Sequence, residues 1–293
     1  MQVKEQQQTI CTECLEVFHN QYEIVSVLGH GSFGVVFHAQ RKRDEEQFAV
    51  KRLDLDGTTL SQAAREVNNI TSIGCHPGYI IFEEVFFNEH HTKSVGHLYI
   101  AMELCERITL KEWLQLSQTA RSRPWILMRD WIKQLACALG HLHKNNFIHR
   151  DLKPANVFFP RGADFKKLKI GDFGLATRAI VGLQQGGLQS LMEDAQQNHT
   201  AGAGTPYYMA PEQTSEHYDE KVDIFALGLI SAELIILNSP MEGVCTNDII
   251  RSGQWPIAWL DYPDALQFLS QLTSLHPVER PTAAQVSMHP FLQ

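Results

Sequence analysis

His149-Arg150-Asp151-Leu152-Lys153-Pro154-Ala155-Asn156 gathers a carboxylate, an ammonium and a carboxamide between positions 151 and 156. Upstream, Trp131, Leu135, Ala138, Leu139 and Leu142 recur at helical spacing, and downstream Val157-Phe158-Phe159 reads as a short strand. The octet is therefore a loop held between packed elements. Asp, Lys and Asn together are what an alcohol attacking a terminal phosphate requires: a proton acceptor, a cation on the departing phosphoryl group and a metal ligand.

Further on stands Asp172-Phe173-Gly174. Either string alone is compatible with a solvated loop or a turn. In this order and spacing they resemble the protein kinases, whose catalytic loop reads His-Arg-Asp, four residues, then Asn, and whose metal motif Asp-Phe-Gly follows. The resemblance implies that Asp151 accepts the hydroxyl proton, Lys153 neutralises phosphoryl charge, and Asn156 and Asp172 hold Mg2+ beside ATP.

Tyr22 to Leu28 and Val35-Val36-Phe37 read as strands around Gly29-His30-Gly31-Ser32-Phe33-Gly34. A dinucleotide fingerprint would lead into a helix, whereas a kinase glycine loop joins two strands, so an oxidoreductase reading fails here. By resemblance, Leu28, Gly29, His30, Gly31, Ser32, Phe33, Gly34, Val35 and Val36 surround ATP. Glycine lets backbone N–H groups approach the phosphates without a Cβ in the way. Gln47 to Leu53 is a further strand bearing Lys51. Leu60 to Ile70 is a helix whose Ala63, Glu66, Val67 and Ile70 share a face, which would turn Glu66 toward Lys51. Without that partner a buried Glu would be costly. In the strand His97 to Cys105, Met102 resembles the gatekeeper, and the backbones of Glu103 and Cys105 the adenine-binding hinge.

The segment from Asp172 to Glu212, rich in Gln, Gly and small residues, resembles an activation loop closed by Ala210-Pro211-Glu212. Thr205 would line the acceptor site. Thr200 is a candidate phosphosite whose phosphate would pair with Arg150, and Thr205 is a second candidate. Asp223 resembles the residue that braces the catalytic-loop backbone, and Arg280 the partner of Glu212.

Lys153-Pro154-Ala155 resembles a serine/threonine kinase. Met102-Glu103-Leu104-Cys105, Tyr208 to Gln213 and Val222 to Ile230 resemble most the kinases of the translation initiation factor two alpha subunit. Phe225 is informative, because many kinases carry Trp there. Asp248 departs from the threonine expected on the substrate-docking helix, although Arg251 and Gly253 fit. The resemblance implies that alpha subunit as substrate, repression of translation, and a homodimer through the small lobe. Gly204 to Met209 and Pro154 to Phe158 also resemble the mitotic NIMA-related kinases. A catalytically dead pseudokinase scaffold is the reading from another class, and it usually goes with a missing charged residue; none is missing here.

The expected fold is α+β and bilobal: residues 1–21 a polar tail, 22–293 a kinase domain. Within it, 22–105 would form a small antiparallel-sheet lobe with one helix, ending in the hinge, and 106–293 a mainly helical large lobe, with ATP between the two. A chain of 293 residues, 44% hydrophobic, can build such a core. The formal charge of −8 lacks the basic excess that drives nucleic-acid binding, so no direct nucleic acid is expected. Six cysteines without a signal-peptide pattern suggest reduced thiols and a cytoplasmic location, and Cys11-Thr12-Glu13-Cys14 lacks a second ligand pair. The apolar run Ile224 to Leu237 is too short for a membrane span, carries Glu233, and reads as a core helix.

Overall fold

Alternation of side chains along β3 (Gln47–Leu55) and β5 (Gly96–Glu103) sets the plan of the first half of the chain. Phe48, Val50, Tyr99 and Ala101 enter one buried cluster, while Leu53, Leu55 and Ile100 enter another, so both faces of the sheet are covered. In the computed structural model, which describes residues 16–31, 34–55, 59–89, 96–116, 123–178, 204–215, 217–236 and 240–293, the chain divides into two compact units.

The first comprises Met1–Val67 and Ile81–Leu104. Its antiparallel sheet also contains β1 (Tyr22–Gly31), β2 (Gly34–Arg41) and β4 (Phe82–Glu89), in the order β1-β2-β3-β5-β4. Ala63, on α2 (Thr59–Ile73), packs with Leu53, Leu55 and Ile100. The opposite face receives α1 (Glu16–Gln21). The tail expected over residues 1–21 therefore ends in ordered structure: Phe18 is fully buried and stacks on Tyr99 at 4.9 Å and on Tyr22 at 5.7 Å. A helix of one and a half turns in a polar run offers too little apolar repeat to read, and only its packing reveals it.

The second unit comprises Asn68–Ile80 and Cys105–Gln293. Its Cys105–Gln293 part starts with β6 (Cys105–Thr109), so Cys105 pairs with Pro160 instead of extending β5. Then follow α3 (Leu110–Leu116), α4 (Trp125–Lys144), β7 (Phe147–Ile148), β8 (Val157–Pro160), β9 (Lys169–Ile170) and β10 (Thr177–Arg178). The remainder is mainly helical: α5 (Lys221–Ile235), α6 (Pro240–Arg251), α7 (Pro263–Leu272) and α8 (Ala283–Ser287). Small sheets β6-β8-β9 and β10-β7 flank the His149–Asn156 loop. Every residue of α5 from Val222 to Leu234 is buried, as a helix apolar on all sides must be. No helix among the described residues is long and apolar enough to cross a membrane.

Candidate active site

In the first unit, β3 presents Lys51, whose Nζ donates to Glu66 Oε1 at 2.6 Å and Oε2 at 2.9 Å. Glu66 is buried, and the ammonium, which holds both its oxygens, offsets the cost of desolvating that carboxylate. Nearby residues Leu28, Gly29, His30 and Gly31 end β1, and Gly34, Val35 and Val36 open β2, in register Gly29↔Val36, His30↔Val35 and Gly31↔Gly34. The glycine stretch is thus strand almost throughout. Ser32 and Phe33, at the tip, lie outside the described residues. A Cβ on Gly34 would stand 1.7 Å from the Arg52 carbonyl oxygen, so the neighbouring strand alone demands glycine there. At Gly29 a Cβ would meet nothing within 4 Å. Glu103 at the end of β5 is tied down: its N–H donates to Ile81 O at 2.8 Å, and its Oε2 accepts from Ile81 N at 2.9 Å.

In the second unit the loop wraps around one carboxylate. Asp151 Oδ2 accepts from Lys153 Nζ at 2.7 Å and Asn156 Nδ2 at 3.2 Å, and its Oδ1 accepts from the Thr205 N–H at 2.8 Å and hydroxyl at 2.7 Å. Lys153 Nζ also reaches Thr205 Oγ1 at 2.5 Å. Asp151, Lys153, Asn156 and Thr205 are therefore one hydrogen-bonded group. The backbone that makes this possible is unusual: Arg150 has φ 69° and Asp172 φ 62°, both left-handed.

Asp223 holds that backbone. Its carboxylate accepts the N–H groups of His149 and Arg150, each at 2.9 Å, and contacts His143 Nε2 at 2.9 Å. Complete burial would raise its pKa, but the His143 hydrogen bond and the two histidine charges prevail and hold it below the ordinary aspartate value. Asp172 is placed by its neighbours. The Gly171 N–H donates to Asn156 O at 3.0 Å, and Phe173 is buried between Tyr79 and His149, ring centroids 5.2 and 5.4 Å away. Asn69 Nδ2 donates to the carbonyls of Phe173 at 3.1 Å and Ala176 at 2.7 Å.

The segment from Gly204 to Glu212 is anchored at both ends. Gly204 has φ 133°, and a Cβ there would lie 2.7 Å from Arg150 O. Glu212 forms a bidentate pair with Arg280 at 2.5 and 2.9 Å; the Arg280 side chain is buried over the Phe225 ring. Arg150 itself donates to Leu175 O at 2.5 Å and to Tyr218 Oη at 3.2 Å. Thr200, its expected phosphorylated partner, lies outside the described residues, as does the Cys11–Cys14 pair. Asn69, His143, Gln213 (which donates to Arg150 O at 3.1 Å) and the Tyr208–Glu233 pair escaped the sequence reading. Their side chains act across long separations, and only Glu233, a carboxylate inside an otherwise apolar run, stood out in the sequence.

Among the described residues no group of three or more His, Cys, Asp or Glu is disposed to hold a metal. Asn156 and Asp172 offer the sparse oxygen donors that suit Mg2+, which takes its remaining ligands from water and phosphate.

Residues 22–292 match the family model of the protein kinase domain. The chain is 42% identical over 249 residues to the eukaryotic translation initiation factor 2-alpha kinase pek-1 of Caenorhabditis elegans, covering 82% of this chain and 23% of that one. It is 30% identical over 280 residues to the interferon-induced, double-stranded RNA-activated protein kinase of Mus musculus, covering 92% and 50%. Similarity also extends to the serine/threonine-protein kinase Nek3 of Mus musculus, 31% identical over 269 residues, covering 90% and 48%. The chain spans half or less of the length of these relatives.

Proposed function

The chain belongs to the protein kinase family, and we propose that it is an ATP- and Mg2+-dependent serine/threonine kinase acting on the alpha subunit of translation initiation factor two, thereby repressing translation. The observation that carries the chemistry is the convergence of Lys153, Asn156 and Thr205 on the Asp151 carboxylate. What favours this substrate over that of a NIMA-related kinase is the 42% identity to a kinase named for it, against 31% to Nek3.

Asp151 orients the acceptor hydroxyl, whose oxygen takes the place Thr205 Oγ1 holds at Oδ1, and receives its proton as the phosphoryl group leaves ATP. Lys153, already on Oδ2, neutralises charge on the transferred group. Lys51, fixed by Glu66, holds the α- and β-phosphates. Asn156, whose Nδ2 is committed to Asp151, would hold Mg2+ through its Oδ1 together with Asp172. Bound Mg2+ would supply charge neutralisation on the phosphates. Leu28, Gly29, His30, Gly31, Ser32, Phe33, Gly34, Val35 and Val36 cover the nucleotide, and the Glu103 and Cys105 backbones meet adenine. Rate enhancement comes from positioning and electrostatics, with no covalent intermediate on the protein. Phosphorylation at Thr200 or Thr205, a cytoplasmic location, a homodimer through the sheet unit and no direct nucleic-acid binding complete the reading. The outward Val25 and Val27, 54% and 53% exposed, support the dimer.

The test is a radiolabelled-ATP assay with Mg2+, offering the wild-type alpha subunit, its phosphoacceptor-serine-to-alanine form and a generic basic protein. Label lost with the alanine form alone supports the proposal. Label on the generic protein alone transfers the substrate assignment to the NIMA-related reading. No label on any protein, the chain itself included, points to a pseudokinase. Lys51→Met and Asp151→Asn are each expected to lower transfer by about a thousandfold or more while the chain still folds, Lys51→Met with a lowered thermal midpoint because Glu66 loses its partner; full activity in either rejects the assignment.

A further inference from the structure

The segment 204–209 belongs to neither helix nor strand, so its carbonyls must find partners elsewhere. Helix α6 supplies them. Arg251 Nε donates to Met209 O at 2.9 Å, a terminal nitrogen of the same guanidinium donates to Pro206 O, and Asn247 Nδ2 donates to Tyr207 O at 3.1 Å. Immediately before these carbonyls stands Thr205, whose N–H and hydroxyl both bind Asp151 Oδ1. Asn247 is 1% exposed, and its Oδ1 has no partner among the described residues. Removing its donor would leave the Tyr207 carbonyl without this bond, so the residue serves by its Nδ2. Arg251 is partly buried, its side chain 20% exposed and paired with the exposed Asp248 at 3.1 Å.

We propose that Arg251 and Asn247 are positioning residues for phosphoryl transfer. By gripping the carbonyls of Pro206, Tyr207 and Met209 they fix the segment that presents Thr205 to Asp151, and so set where the acceptor hydroxyl meets the carboxylate. This rests on the kinase reading above. It adds that α6 governs the rate of transfer to protein, whatever docks on its outer face. Lysine cannot replace Arg251, because a single ammonium does not span two carbonyls in the fixed geometry of a guanidinium.

Two measurements on Arg251→Ala, Arg251→Lys and Asn247→Ala test it. Hydrogen exchange of residues 204–209 needs no activity. In each variant the Thr205 amide, which donates to Asp151 in the wild type, is expected to exchange about tenfold faster or more, with exchange around Arg280 unchanged. Steady-state kinetics on the alpha subunit is expected to show kcat lowered by about tenfold or more, while KM for ATP and ATP hydrolysis by water persist. Wild-type exchange at 204–209, or a loss confined to KM for the protein acceptor, overturns the proposal. If wild type transfers no phosphate, the kinase reading fails on its own and exchange still decides the grip. If Arg251→Ala unfolds, the same two measurements on Asn247→Ala, which removes a single bond, decide between these outcomes.

Discussion

Glu233 shows what one buried carboxylate does to the pH response of this chain. Burial in α5 pushes its pKa from 4.5 up to about 7, against the Tyr208 hydroxyl, which donates to it at 2.7 Å, and the Arg123 charge. The folded chain therefore keeps a proton that the unfolded chain releases near 4.5, and stability falls as pH rises from there to about 7. Glu233→Gln retains an acceptor for Tyr208 and is expected to be neutral at acidic pH but stabilising by roughly 1–3 kcal/mol at alkaline pH. Urea denaturation at both ends of that range checks it, and an equal effect at both rejects it. Asn69 tests a different bond type. Its amide satisfies two buried carbonyls beside Asp172, so Asn69→Ala should cost about 1–3 kcal/mol, measured by denaturation, and lower kcat in parallel. The sequence revealed Asp151, Lys153 and Asn156 because they crowd into one loop. Asn69 left no trace, since an amide on a helix face reads as solvated until the distant carbonyls it binds are in place.

Elements were legible where a periodic apolar face ran long enough. Four of the five strands, the α4 stripe and the uninterrupted α5 were of this kind, whereas β4 (Phe82–Glu89) was not read from the sequence. α1 was not, because its contribution is the burial of Phe18 against Tyr22, Phe86 and Tyr99. Phe18→Ala is expected to destabilise the sheet unit by about 3–5 kcal/mol. The thermal midpoint of the Phe18→Ala chain checks this, and a midpoint equal to wild type would show the packing of α1 to be dispensable. The glycine hairpin was readable as strand, loop, strand, but not the reason for its last glycine. Gly34 faces the Arg52 carbonyl, so Gly34→Ala is expected to disturb β2 and β3 as well as nucleotide binding, visible as a lowered midpoint without ATP.

Across the whole molecule the second unit relies on contacts distant in sequence. Arg280 binds Glu212 in a buried bidentate pair and also donates to the carbonyls of Lys221 at 2.9 Å and Ser274 at 2.8 Å. Arg280→Ala leaves these acceptors uncompensated and is expected to cost about 3–5 kcal/mol, read by chemical denaturation. Spacing suggested the pairing; its burial and additional acceptors required the fold. The brace formed by Asp223 also bears on how the protein is made. The N–H groups it receives come from residues 74 and 73 positions earlier. Closing a loop of that length costs entropy before the contact repays it, so we expect the brace, and with it the left-handed turn of the His149–Asn156 loop, to form after β7, β8 and the local helices. Stopped-flow refolding followed by circular dichroism and by activity checks this: helix content is expected to recover before activity, and simultaneous recovery rejects it.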